Sequence, residues 1–198
     1  MANHTTYDDL LARVRALADQ LDRPPVVGIC GHGGAGKSTL ASLLAADLGV
    51  AEEQVVRLDR LKAEGAEEQR GILDLHDWPV LRDLLDRVRT APAPTRLAYP
   101  TRVWGGATGH RDTAMPPVVL VEGIRLLHDG TRRLLDLAVW IEMTPEAAGA
   151  RAVARNTEQG DDEAELDLWR TRWIPEGHAY AAEHAPADLA DLVLSPLG

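Results

Sequence analysis

The chain has 198 residues, which suits one domain with a substantial core. It carries 31 acidic against 21 basic residues, so a general nucleic-acid binder, which needs a basic face, is disfavoured. The single cysteine, Cys30, excludes an internal disulfide framework, and no apolar run approaches the roughly 20 residues of a membrane span. These features predict a cytoplasmic protein, one domain over residues 1–198, with neither a nucleic acid nor a membrane as partner.

Strands and helices are predicted to alternate from the start of the chain. Thr6–Leu21 has apolar residues at spacings of three and four and predicts an amphipathic helix within an N-terminal extension, residues 1–24. Val26–Cys30 is a short apolar run typical of a buried strand. A glycine-rich turn and a helix over Ser38–Leu48 follow, and Gln54–Leu58 predicts the second strand.

The middle of the chain predicts a helix over about Trp78–Val88 and a short strand over Thr95–Tyr99. Arg102–Met115 contains three glycines and no periodicity, which predicts a loop or flap. Two further buried strands are predicted at Pro117–Val121 and Leu137–Glu142.

The last third predicts a helix over Ala147–Arg155, which follows the helix-start signal Thr144-Pro145-Glu146. Asn156–Asp162 is a polar break, Glu163–Ala185 carries helices interrupted at Pro175, and Ala190–Leu194 is a final strand. Strands alternating with helices predict an α/β fold with a parallel sheet covered on both faces. Three tryptophans stand at apolar positions of predicted helices or strands and are expected in the core: Trp140, Trp169 and Trp173.

The segment Gly31–Ser38 fits G-x-x-x-x-G-K-[ST], the P-loop pattern, between a predicted strand and a predicted helix. From this composition the pattern arises by chance in roughly one sequence in a thousand. Its backbone would cradle phosphates, Lys37 would bridge the β- and γ-phosphates, and Ser38 would ligate Mg²⁺. The predicted nucleotide-binding residues are Gly31, Gly33, Gly34, Ala35, Gly36, Lys37, Ser38 and Thr39.

Two acids stand where strands are predicted to end. Glu122 occupies the Walker B position, where a carboxylate can hold Mg²⁺ directly or through water. Asp59 follows the second strand, where a kinase needs a carboxylate to orient the acceptor hydroxyl and take its proton. A solvated glutamate and a loop-capping aspartate are the structural alternatives. The N-K-x-D guanine signature is absent, which disfavours a GTPase.

Together with Trp173-Ile174-Pro175 and Ala190–Val193, these motifs resemble the uridine kinase and phosphoribulokinase-like group of P-loop kinases. The resemblance implies about five parallel strands in the order 2-3-1-4-5, a short lid over about residues 147–162, and ATP with Mg²⁺. It implies that Asp59 is the catalytic base and that Glu122 lies near Mg²⁺. It also implies that Arg151 and Arg155 close on the ATP phosphates. Together with Lys37, these arginines would offset the negative charge that develops on the transferred phosphoryl group.

The acceptor region departs from the family pattern. Asp59 is followed by Arg60-Leu61-Lys62, where uridine kinases usually carry an aromatic pair. Trp104 could stack on a base or only pack the flap, and both interpretations stay open. The candidate acceptor-binding residues are His76, Tyr99, Arg102, Trp104 and Arg111.

The sequence therefore predicts an ATP-dependent kinase that phosphorylates a hydroxyl of a small molecule, with a nucleoside as the first candidate. A kinase for pantothenate, a sugar phosphate or an antibiotic is an alternative, as is a nucleotide-binding switch without transfer activity. Whether the chain forms a homo-oligomer stays open.

Overall fold

The computed structural model describes residues 3–66, 68, 71–91 and 95–196. The strands are β1 (His4–Thr5), β2 (Val26–Cys30), β3 (Val56–Arg57), β4 (Arg96–Arg102), β5 (Thr108–Ala114), β6 (Val119–Gly123), β7 (Leu137–Ile141) and β8 (Leu192–Leu194). The helices are α1 (Tyr7–Gln20), α2 (Lys37–Leu48), α3 (Trp78–Thr90), α4 (Asp129–Arg132), α5 (Pro145–Gln159), α6 (Glu163–Leu168), α7 (Ile174–His184) and α8 (Pro186–Leu189). Short 3₁₀ helices cover Glu52–Gln54 and Leu58–Arg60, and a π-helical segment covers Trp169–Trp173. Within these ranges no helix is both long enough and apolar enough to cross a bilayer.

The main sheet has six strands among the described residues, in the order β1-β8-β7-β2-β6-β3, and every pairing in it is parallel. Without β1 this is the 2-3-1-4-5 order that the family resemblance implies. The expected count of about five strands is wrong. The sixth strand arises because His4 and Thr5 pair with Val193 and Leu194 at the sheet edge.

Both faces of the sheet are buried. Consecutive residues of a strand point to opposite faces, and the residues of β2 pack into a different core cluster on each face. Along β2, Val26 and Cys30 pack with the cluster that includes residues of α3. Val27 and Ile29 pack with the cluster that includes residues of α1 and α2. Each fully buried Val, Leu or Ile side chain contributes about 1.5–3 kcal/mol. The resulting two-sided core holds the carboxyl ends of β2, β3 and β6 side by side.

The N-terminal helix is built into this core. Thr6 caps α1 by accepting a hydrogen bond from the Asp9 amide at 3.2 Å. Leu10 and Val14 are fully buried in the layer that α1 shares with α2. The Tyr7 hydroxyl donates to an Asp47 carboxylate oxygen on α2 at 2.5 Å. The helix predicted over Thr6–Leu21 is confirmed, one residue shorter at each end.

The loop predicted over Arg102–Met115 is wrong in its second half. Thr108–Ala114 forms β5, which pairs antiparallel with β4 in a hairpin separate from the main sheet. The strand escaped prediction because it is polar and mostly exposed, so it shows no apolar alternation. The hairpin tip brings Trp104 and two left-handed glycines, Gly105 and Gly106, next to the end of the main sheet.

Two boundaries in the last third also differ from expectation. Helix α5 continues through Asn156 to Gln159 and ends at Gly160, whose φ of 87° is left-handed, so the polar break begins four residues later. Pro175 does not interrupt a helix, because it lies in the first turn of α7, where its missing N–H is not needed. The irregularity lies before it, in the π-helical segment Trp169–Trp173.

The second predicted strand is shorter than Gln54–Leu58. Only Val56 and Arg57 pair with β6, and the chain then turns into a 3₁₀ helix over Leu58–Arg60. Asp59 therefore stands on a helical turn immediately beyond the strand and is exposed.

Candidate active site

A cleft of about 570 Å³ lies at the carboxyl end of the parallel sheet, the edge at which open α/β sheets bind ligands. It is bounded by the P-loop, the ends of β3 and β6, α5, the π-helical segment and the hairpin tip. The predicted site residues that line it are Gly31, Gly33, Gly34, Gly36, Lys37, Ser38, Thr39, Asp59, His76, Trp104, Glu122, Arg151 and Arg155. Residues predicted from separate segments of the chain thus meet in one cavity.

The P-loop joins β2 to α2 and needs glycine where its backbone is left-handed. Gly34 has a φ of 91° and Gly36, the residue that precedes α2, a φ of 98°. The Lys37 ammonium donates to the His32 carbonyl oxygen at 2.8 Å and is largely buried. Burial lowers the pKa of Lys37, and the neighbouring Glu122 carboxylate acts in the opposite direction. The loop therefore holds one cation against a helix N-terminus, which suits an anionic ligand.

Glu122 and Ser38 form the candidate metal-holding pair. The Ser38 hydroxyl, on the first turn of α2, donates to Glu122 Oε1 at 3.0 Å. The Arg57 guanidinium donates to the same oxygen at 2.8 Å from the adjacent strand. The Glu122 side chain is only 6% exposed, so its charge is held inside the protein and needs these partners.

The donor set fits a magnesium ion that is carried in by a nucleotide. Mg²⁺ prefers oxygen ligands and is usually bound through one or two protein groups together with phosphates and waters. Ser38 and Glu122 offer two such groups at the edge of the P-loop. Among the described residues no group of three or more His, Cys, Asp or Glu side chains could hold a metal ion by itself.

Asp59 and His76 line the cleft beyond the P-loop. His76 is 4% exposed, and its Nδ1 lies 2.9 Å from the Leu58 carbonyl oxygen, next to Asp59 in sequence. Burial, aided by Lys62 and Arg125, lowers the pKa of His76 well below its usual value. The ring is therefore neutral, and its Nδ1–H must donate because a carbonyl can only accept. Its Nε2, an acceptor, has no hydrogen-bond partner within the described residues.

Trp104 projects from the hairpin tip and is 43% exposed. Its ring makes an edge contact with Trp173, with centroids 5.9 Å apart. Two cations lie near the same ring, the Lys62 ammonium at 5.8 Å and the Arg172 guanidinium at 5.7 Å from its centroid. This cluster places an aromatic surface with positive charge in the same cleft as Asp59.

Three predicted acceptor-binding residues do not line the cleft. Tyr99 is only 1% exposed and packs into the core, and burial raises the pKa of its hydroxyl. Arg111 is the cross-strand neighbour of Tyr99 and hydrogen-bonds to its hydroxyl. The positive charge of Arg111 lowers the pKa of that hydroxyl and so opposes the effect of burial. Arg102 contributes a backbone carbonyl to the Lys62 amide at 2.9 Å. Ala35, predicted to bind nucleotide, is also buried outside the cleft lining.

Arg151 and Arg155 are exposed on α5 and both line the cleft. The first half of α5 is packed against the P-loop, because Ala148 and Ala152 are buried. A Cβ atom at Gly34 would meet the Ala148 carbonyl oxygen at 2.0 Å. The two arginines therefore stand on a helix that is anchored to the phosphate loop at its base.

Sequence reasoning missed several residues of the cleft. Arg125 follows the Glu122 motif, is 5% exposed and has a left-handed φ of 61°. It donates to the Ile72 carbonyl oxygen at 2.6 Å and forms an ion pair with Glu176 on α7. Trp169 and Trp173, expected in the core, are partly exposed and line the cleft. A charged residue directly after V-E-G-I was the only local signal for Arg125.

No protein-family profile matches the chain. Its fold is similar to that of a candidate fructose transport system kinase from Silicibacter sp. TM1040, with a TM-score of 0.68, 23% identity, and 93% of this chain and 98% of that one covered. A possible uridine kinase from Bacillus stearothermophilus matches with a TM-score of 0.59 at 16% identity, covering 94% and 99%. A D-glycerate 3-kinase from Cryptococcus neoformans matches with a TM-score of 0.57 at 12% identity, covering 86% of each chain. The fold is therefore that of the uridine kinase-like P-loop kinases.

Proposed function

We propose that the protein transfers the γ-phosphoryl group of ATP to a hydroxyl group of a small molecule, with a nucleoside as the first candidate acceptor. The observation that carries the proposal is that the P-loop and an exposed carboxylate, Asp59, line the same cleft. A P-loop alone would suit any nucleotide-binding protein. A carboxylate in the same cleft adds a group that can orient a hydroxyl for in-line attack.

The P-loop would hold the triphosphate. Lys37 would exchange its bond to the His32 carbonyl for the β- and γ-phosphate oxygens, where its charge offsets the negative charge of the transition state. Ser38 and Glu122 would hold Mg²⁺. When bound there, Mg²⁺ supplies a positive charge next to the transferred phosphoryl group.

Asp59 would accept a hydrogen bond from the attacking hydroxyl and receive its proton as the new O–P bond forms, while the bond from the γ-phosphorus to the β,γ-bridging oxygen breaks and ADP leaves. It has no hydrogen bond to another described residue that would have to break first. Arg151 and Arg155 would approach the γ-phosphate from α5 and exclude water when both substrates are bound. The expected lid spans about residues 147–162; its first turn is anchored by the contact of Ala148 with Gly34, so the two arginine side chains and the later part of α5 would do the closing.

The acceptor would lie between His76 and Trp104. His76 borders the cleft, and a small rotation of its ring would expose the buried, unpartnered Nε2, which would then accept a hydrogen bond from a second hydroxyl, as a ribose would provide. The exposed face of Trp104 can stack on a planar base. Both features support a nucleoside over an acceptor without a ring system.

Other small hydroxyl compounds are a second candidate class. Lys62 and Arg172 beside Trp104 would also attract a carboxylate or phosphate group. The proteins with a similar fold include candidate or established kinases for fructose transport, uridine and D-glycerate, so the fold does not choose between these acceptors.

The test is a phosphoryl-transfer screen with ATP and Mg²⁺, in which ADP formation is measured with nucleosides, sugars and hydroxy acids. We expect ADP formation to depend on one acceptor class and the product to carry phosphate on a hydroxyl oxygen by ³¹P NMR. ATP binding without acceptor-stimulated turnover across the whole screen would favour a nucleotide-binding switch instead.

A further inference from the structure

Arg57 is the register partner of Glu122 on the neighbouring strand, so both side chains point to the same face of the sheet. One guanidinium nitrogen donates to Glu122 Oε1 at 2.8 Å. The other donates to the Ser42 hydroxyl at 3.3 Å and forms an ion pair with Glu52. The Arg57 side chain is 15% exposed, so these contacts fix it in one place.

Arg57 does not line the cleft, although Glu122 and Ser38 do. It therefore approaches the carboxylate from outside the substrate cavity. Oε1 of Glu122 is occupied by Arg57 and Ser38, while Oε2 makes no hydrogen bond with the described residues. Arg57 and Ser38 thus leave Oε2 as the carboxylate oxygen that has no hydrogen-bond partner among the described residues.

We propose that Arg57 is a positioning residue that holds Glu122 for the metal–nucleotide complex and weakens the binding of a free divalent cation. This inference rests on the proposed function, because it takes Ser38 and Glu122 as the metal-holding pair. A guanidinium 2.8 Å from the carboxylate oxygen repels any cation that approaches the same group. A nucleotide adds its own phosphate oxygens and negative charge, which outweigh this repulsion.

The consequence is an order of binding. A pair of protein oxygens beside a fixed positive charge gives a weak site for the ion alone. The same pair gives a good site for an ion that arrives with a triphosphate. Glu52 lies on the far side of Arg57 and neutralises part of the guanidinium charge. It therefore determines how strongly Arg57 repels a free divalent cation.

The experiment measures Mn²⁺ binding by electron paramagnetic resonance, with and without a non-hydrolysable ATP analogue, so that it does not depend on turnover. Without nucleotide, Arg57→Gln and Arg57→Met should bind Mn²⁺ at least about tenfold more tightly than the wild type. Arg57→Lys keeps the charge and should stay within about threefold of the wild type. Glu52→Gln, at an exposed position, should bind free Mn²⁺ more weakly, which tests the proposal even where an Arg57 variant fails to fold.

Ser42→Ala is the matched control, since it removes a neutral contact of Arg57 and should leave Mn²⁺ binding unchanged. Unchanged or weaker nucleotide-free binding in Arg57→Gln and Arg57→Met would overturn the inference, as would equal tightening in Arg57→Lys or no weakening in Glu52→Gln. Those results would leave the proposed function standing if the wild type still binds Mn²⁺ with the analogue and Glu122→Gln does not. Failure of the wild type to bind Mn²⁺ with the analogue would instead contradict the proposed function.

Discussion

Gly34 of the P-loop lies directly against Ala148 of α5, so closely that a Cβ atom on Gly34 would stand 2.0 Å from the Ala148 carbonyl oxygen. Gly34 also has a left-handed φ of 91°. The phosphate loop and the helix that carries the candidate lid arginines are therefore one packed unit, and side-chain bulk at this contact must displace one of them.

Gly34→Ala should separate the two elements. We expect ATP affinity to fall by more than about tenfold and the protein to lose more stability than the 1–2 kcal/mol or so that a left-handed backbone alone costs. Calorimetric ATP binding and urea unfolding measure the two effects. Gly160→Ala is the control, since it has a φ of 87° but open space around its Cβ position. Equal losses in both variants would show that the contact with Ala148 is unimportant.

Arg151→Ala and Arg155→Ala should each lower the transfer rate by more than about tenfold, because two residues four apart on one helix face can reach the same anion. The melting temperature should change little, since both side chains are exposed. Arg170→Ala is the control, as Arg170 is exposed but does not line the cleft. Normal turnover in both variants would remove these arginines from the mechanism.

Closure over both substrates should also protect the segment after α5. We expect proteolysis near Gly160–Asp162 to slow with a bisubstrate analogue and to slow much less with ADP alone. Equal cleavage rates with and without the bisubstrate analogue would contradict the lid over residues 147–162.

Trp104→Ala should raise the KM for the acceptor by about tenfold and leave the KM for ATP within about twofold, because a stacking contact contributes about 1–1.5 kcal/mol at the acceptor end. Leu168→Ala is the control, since Leu168 is an exposed apolar residue that does not line the cleft. Steady-state kinetics with each substrate varied in turn provides the measurement. A rise in the KM for ATP instead would place Trp104 at the nucleotide.

Buried histidines should make the protein less stable as the pH falls. Burial lowers the pKa of His32 and of His128 to about 4, against 6.5 in an unfolded chain. Below pH 6.5 the unfolded state therefore binds more protons than the folded state, and the free energy of unfolding falls until about pH 4. Urea unfolding at pH 7, 6 and 5 measures this fall.

His128→Gln should reduce the pH dependence, because it removes a group that is neutral when folded and charged when unfolded. His110→Gln, at an exposed position, serves as the control and should leave the pH dependence unchanged. A slope that is the same in the His128 variant as in the wild type would contradict the role of burial.

Local signals in the sequence predicted the parts of the fold that local physics determines. The glycines and lysine of Gly31–Ser38 predicted the phosphate loop, and the apolar run Val26–Cys30 predicted the central strand. The hairpin strand Thr108–Ala114 was not predicted, because its side chains are mostly polar and exposed and show no apolar periodicity. The short edge strand His4–Thr5 was not predicted, because two residues are too few to show a strand-like alternation of apolar and polar side chains.

Contacts between distant segments were beyond sequence reasoning. Arg57 and Glu122 are 65 residues apart, and only the pairing of β3 with β6 brings them together. Trp169 and Trp173 have the apolar context of core residues, yet the π-helical segment turns them toward the cleft. Asp59 was placed correctly at the end of a strand, although the strand is shorter and the residue stands on a 3₁₀ turn.

Asp59→Asn tests the central claim most directly, because it keeps the size of the side chain and removes its ability to take a proton. Transfer to the acceptor and ATP binding are measured on the same preparation, the first by single-turnover kinetics and the second by calorimetry. We expect the rate to fall by about 10²–10⁴-fold and the ATP affinity to stay within about threefold of the wild type. Transfer at the wild-type rate would contradict the assignment of Asp59 as the group that activates the acceptor hydroxyl.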